Sequence, residues 1–92
     1  MVQRTKCLTE AELQKKIIDH FIELGYFAIK LIQTNVNGIP DLMCLKNGTT
    51  TFIEVKKKGK KATLLQLYRH EQLRNNGFEV LVIDNIFDIK NK

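Results

Sequence analysis

Asn47-Gly48 limits most sharply what this chain can fold into. The tightest hairpin turns need positive φ at both central residues, and an Asn-Gly pair adopts that conformation at least cost. Strand-like runs flank it, Asp41-Leu42-Met43-Cys44-Leu45 before and Thr50-Thr51-Phe52-Ile53-Glu54-Val55-Lys56 after. An antiparallel hairpin centred on the pair brings the start of the first run beside the end of the second. Counting outward from the turn, Asp41 falls close to Glu54 or Lys56. Glu54 and Lys56 are two apart and share one face of their strand.

The remaining elements assemble around this hairpin. Thr9-Glu10-Ala11-Glu12 is a capping-box signature, and Leu13, Ile17, Phe21 and Leu24 repeat at helical spacing until Gly25. That predicts a helix from about Glu10 to Leu24. Tyr26 to Ile32 reads as a strand and Gln33 to Pro40 as a polar loop. Thr63 to Asn76 reads as a second helix closed by Gly77, Phe78 to Ile83 as a buried-type strand, and Ile86 to Ile89 as a docking tail. The order α-β-β-β-α-β, with no repeat or linker, predicts one α/β domain over residues 1–92.

Charge is concentrated. The chain carries 15 Lys+Arg against 10 Asp+Glu, a net +5. Five of those cations fall in Lys56-Lys57-Lys58-Gly59-Lys60-Lys61, and the rest of the chain balances ten against ten. A basic run of this kind beside a fold points to an anionic partner such as nucleic acid. No apolar stretch approaches the roughly 18 residues of a membrane span. The N-terminus lacks an apolar signal core, and Cys7 and Cys44 form no disulfide or CxxC pattern, so a cytoplasmic protein with reduced thiols is expected.

Asp41 and Glu54, brought together, would repel one another and raise each other's pKa. A hard divalent cation relieves that repulsion, and Mg²⁺ suits one or two carboxylates plus phosphate oxygens and water. Lys56 could then orient an attacking water or stabilise developing phosphate charge. These are parts for phosphodiester hydrolysis. The alternative is a solvent-exposed Glu54–Lys56 pair on the hairpin surface, with Asp41 as a turn acid after Pro40.

Gly38-Ile39-Pro40-Asp41-Leu42, Glu54-Val55-Lys56 and Gln66 in the next helix resemble the virus-type replication-repair nuclease domain, VRR-NUC, of the PD-(D/E)xK nuclease superfamily. The resemblance runs from Thr9 to Asp84 and includes Lys30 and the Gly77-Phe78-Glu79-Val80 segment. It implies a restriction-endonuclease-like core, a small mixed sheet flanked by helices, and a metal-dependent nuclease. Asp41, Glu54 and the Val55 carbonyl would hold Mg²⁺ or Mn²⁺, Lys56 would be the catalytic lysine, and Gln66 would lie near the site. Stand-alone members, often phage-encoded, are similar to dimeric junction resolvases. The resemblance therefore implies host cytoplasm, a homodimer and activity on Holliday junctions.

The superfamily usually adds an acid from the first helix, and the matching position here is Gln14. At about 100° per residue from Leu13, Glu10 falls near 60° and Gln14 near 100°, both on the apolar stripe. Either could complete the site; Glu10 could instead simply favour the helix dipole. Lys57, Lys58, Lys60 and Lys61 are candidate phosphate contacts, with Lys30 a further one, and a solvated loop is the alternative. Gln33, Thr34 and Asn35 could touch DNA backbone or only build the turn. His70, one turn beyond Gln66, is a lesser candidate base, and His20 and His70 lack zinc-site spacing.

The expected protein is a Mg²⁺- or Mn²⁺-dependent DNA endonuclease, structure-selective towards four-way junctions as a homodimer. The alternatives are a catalytically silent DNA-binding module of the same fold, or an endonuclease without junction preference.

Overall fold

The structure, a computed structural model, describes residues 8–86. The sequence-based readings of Cys7 and of Phe87 to Ile89 lie outside those residues. Two helices and four strands follow in the expected order: α1 Glu10–Glu23, β1 Phe27–Lys30, β2 Leu42–Lys46, β3 Thr49–Val55, α2 Leu64–Asn75 and β4 Glu79–Ile83.

Local chemistry explains each boundary. Thr9 caps α1, accepting from the Glu12 N–H while the Glu12 carboxylate takes the Thr9 N–H, a complete capping box. Thr63 and Gln66 build the same device at α2. Asn47 and Gly48 take φ of 51° and 78°, the two positive values the hairpin needs. β1 is shorter than the apolar run suggested. Its register with β2 ends at Lys30↔Leu42, and Ile32, 85% exposed, already belongs to the loop.

The sheet order is β1-β2-β3-β4, antiparallel across the first two pairs and parallel across β3 and β4. A parallel partner cannot follow through a tight turn, so α2 forms the crossover. Alternation along β3 sends Ile53 and Val55 to one face and Glu54 to the other. On the first face Leu13, Ile17 and Phe21 of α1 pack against Leu42, Cys44, Ile53, Val55 and Ile83. α2 meets the opposite face, where His70 touches Glu54. Among the described residues no helix is long and apolar enough to cross a membrane.

Candidate active site

One end of the sheet gathers the polar residues. The pairing places the C-terminal ends of β1, β3 and β4 beside the N-terminal end of β2. Lys30, Asp41, Glu54 and Lys56 therefore lie along a single rim. Two backbone bonds fix it: the Leu31 N–H donates to the Asp41 carbonyl at 2.8 Å, and the Lys56 N–H to the Ile83 carbonyl at 3.0 Å.

Asp41 is half-buried and its Oδ2 accepts from the Val55 N–H at 2.8 Å. This bond bridges the hairpin just beyond the last β2–β3 pair, Leu42↔Ile53. The N–H and C=O of a strand residue point to the same side, as the paired exchange in a ladder requires. The Val55 carbonyl therefore opens on the side where Asp41 sits.

Glu54 is only 2% exposed, which excludes the solvent-exposed cross-strand pair. Its carboxyl is pushed up to about 8. Burial is the largest cause, followed by the hydrogen bond and negative charge of Asp41; Glu10 adds a smaller push, and the Lys56 ammonium pulls the other way. In the absence of a cation Glu54 therefore keeps its proton at pH 7.

α2 supplies the other contacts to Glu54. Gln66 serves two purposes at once: its Oε1 accepts from the Thr63 N–H at 2.9 Å and its Nε2 approaches Glu54 Oε2 at 3.4 Å. His70, fully buried, places Nε2 3.2 Å from Glu54 Oε1. Burial, then the charges of Arg74 and Lys56, hold its imidazole below the ordinary 6.5. The sequence offers His70 as a candidate base and not as a zinc ligand; its place against a carboxylate depends on α2 docking. The available signal was the i,i+4 spacing to Gln66, which puts both on one helical face.

The remaining candidates separate. Glu10 is exposed rather than on the buried stripe, because it heads α1 beyond the sheet rim. There its Oε1 accepts from the Lys57 N–H at 3.0 Å, tying α1 to the lysine loop. Gln14 is half-buried, and its side chain hydrogen-bonds none of the described residues. Lys57, Lys58, Lys60 and Lys61 are exposed in a turn closed by the Lys60 N–H on the Lys57 carbonyl at 2.8 Å. Lys30 is exposed at the end of β1. Thr34 Oγ1 donates to the Val36 carbonyl at 2.6 Å, so it builds its own turn.

A divalent cation suits the donors present. No group of three or more His, Cys, Asp or Glu able to hold a metal occurs among the described residues. The available set is two carboxylates and a backbone carbonyl, all hard oxygens, as Mg²⁺ and Mn²⁺ prefer. A carboxyl raised by burial and by a neighbouring carboxylate is also one whose charge a dication would stabilise.

No family profile matches the chain. It is 32% identical over 81 residues to "Putative nuclease p44" of Acyrthosiphon pisum secondary endosymbiont phage 1, covering 87% of each. It superposes on a solved structure described as "VRR_NUC domain" with a TM-score of 0.81 and 32% identity, over 89% of this chain and 90% of the other. A second, "VRR_NUC domain protein", gives a TM-score of 0.68 over 94% and 88%; at 23% identity that likeness concerns the fold.

Proposed function

Since the chain belongs to the VRR-NUC nuclease family and is similar to the phage protein named "Putative nuclease p44", we propose that it is a metal-dependent DNA endonuclease built on Asp41, Glu54 and Lys56. The observation that carries this reading is the buried Glu54 carboxyl, held near pKa 8 beside Asp41 at the rim where Lys56 emerges. Burying an ionisable acid is costly, and a fold gains no stability from placing a second carboxylate against it. A catalytic purpose accounts for that cost.

Asp41, Glu54 and the Val55 carbonyl would hold Mg²⁺ or Mn²⁺. When bound, the ion supplies Lewis-acid polarisation of the scissile phosphate and charge neutralisation. Lys56, a half-buried residue, follows Glu54 by two positions, and its ammonium orients the attacking water and offsets charge growing on the phosphate. Gln66 and His70 fix the Glu54 carboxylate. Glu10 or Gln14 would complete the site from α1, Glu10 having the closer tie through Lys57. Lys57, Lys58, Lys60 and Lys61, with Lys30 across the rim, track the DNA backbone.

The preferred substrate in this reading is a branched duplex such as a four-way junction. A domain of this size has little surface for enclosing branched DNA, so a symmetric homodimer with two sites is proposed. The phage-like relative supports action in the host cytoplasm. Incubating the protein with a four-way junction and with linear duplex, with and without Mn²⁺, tests the proposal. Metal-dependent cutting of the junction, lost in Glu54→Ala and Lys56→Ala, is expected. Binding without cleavage under any metal favours the silent module, for which Gln14 is the supporting residue. Equal cutting of both substrates removes the junction preference, and light scattering decides the dimer.

A further inference from the structure

A fully buried histidine needs a reason. The interior position of His70 on α2 could be filled by leucine at no desolvation cost. Instead the imidazole is 0% exposed, with one nitrogen on Glu54 and the other, Nδ1, without a hydrogen-bond partner among the described residues. Core packing does not account for a group that leaves one polar atom orphaned.

The orphan nitrogen fixes the tautomer. A buried N–H without an acceptor costs more than a buried lone pair without a donor. Nδ1 therefore keeps the lone pair and Nε2 carries the hydrogen, which donates to Glu54 Oε1 across 3.2 Å. Gln66 approaches Oε2 from one turn earlier, at the longer distance of 3.4 Å. Gln66 is committed in part to its capping box with Thr63, whereas the imidazole has no other hydrogen-bond partner among the described residues. The two oxygens of Glu54 are thus gripped by one face of one helix.

We propose that His70 is a positioning residue for Glu54, its Nε2–H holding the carboxylate in the orientation needed for the cation shared with Asp41. This rests on the metal-dependent reading above. Outer contacts of this kind commonly change metal affinity ten- to a hundredfold when removed. His70 touches neither substrate nor water in this role; it acts through Glu54.

Two measurements on the full chain test it. The first uses no metal: long-range ¹H–¹⁵N correlation of the His70 ring is expected to place the proton on Nε2 and leave Nδ1 bare. The second is calorimetric titration with Mn²⁺ in the absence of DNA. His70→Leu is expected to weaken binding by about ten- to a hundredfold, while His70→Gln, whose amide reaches the Nε2 position, stays within about threefold of the parent. Should His70→Leu fail to fold, His70→Asn replaces it, since its shorter amide cannot reach Glu54. A proton on Nδ1 overturns the proposal. So does parental affinity in a folded Leu or Asn variant, or a Gln variant no better than these. A parent protein that binds no Mn²⁺ defeats the metal reading and the role of His70 with it. Failure confined to the variants, with parental binding intact, defeats His70 alone.

Discussion

Replacing Glu54 by Gln should make the metal-free protein more stable while ending its activity, and the gain should grow with pH. The carboxyl rises from an ordinary 4.5 to about 8 on folding. Because the folded value is the higher, the stabilising contribution of the proton is complete below 4.5 and is lost as pH rises through 8. Each unit is worth about 1.4 kcal/mol, so the loss is about 2 kcal/mol at pH 6 and about 4 kcal/mol at pH 8. Glutamine is neutral throughout, and its amide can donate to Asp41 and accept from His70, giving up only the longer Gln66 contact at all pH values alike. The stability gap between variant and parent should therefore widen by about 2 kcal/mol from pH 6 to pH 8, roughly 8 to 16 °C in Tm for a domain this size. His70 works in the opposite sense, costing stability as pH falls through the ordinary 6.5, and does so in both proteins. Thermal unfolding by circular dichroism in EDTA at pH 6, 7 and 8 measures the gap directly. Parallel pH profiles for the two proteins would refute the reasoning, since they would mean that Glu54 ionises in the folded state as easily as in water. Mn²⁺ added at pH 8 should raise the Tm of the parent more than that of Glu54→Gln.

Three further outcomes are expected. Lys56→Ala should lower cleavage by about 10²- to 10³-fold while DNA affinity changes little, which single-turnover rates and gel-shift titrations would separate. Replacing Lys57, Lys58, Lys60 and Lys61 by Ala should flatten the dependence of log Kd on log salt by roughly 0.9 for each lysine that meets a phosphate; an unchanged slope removes the loop from the interface. Gly38→Ala should cost about 1–3 kcal/mol, because φ there is +84° and a Cβ would lie 2.8 Å from Leu65 Cγ and 3.1 Å from Arg69 Cγ. Adding Leu65→Ala should recover part of that loss in thermal melts, since it removes the nearer clash.

The hairpin was readable because its cause is local: Asn47 and Gly48 settle their own backbone, and period-two alternation then aligns Asp41 with the end of β3. The capping box of α1 was readable for the same reason, lying within four residues. The burial of Glu54 was not, since an acid in a strand looks the same whether water or a helix covers it. Only the docking of α2, a tertiary event, puts His70 and Gln66 on that carboxylate. The helical wheel placed Glu10 on the apolar stripe but carries no information on where the sheet stops beneath α1. β1 was overextended because Leu31 and Ile32 are apolar enough for a strand, while the length of the ladder is set by its partner at Leu42.

The position of β4 has a consequence for how the molecule is made. It pairs in parallel with β3, reached through α2, and it holds the Lys56 backbone through Ile83. A chain emerging from the ribosome has Asp41 and Glu54 well before it has the helix that grips Glu54 and the strand that anchors Lys56. Such non-local contacts form late, after the local hairpin. An unfinished chain thus carries the acids without their support, and the proposed active site is complete only with the last strand. For a nuclease, completion of the fold is itself a safety catch.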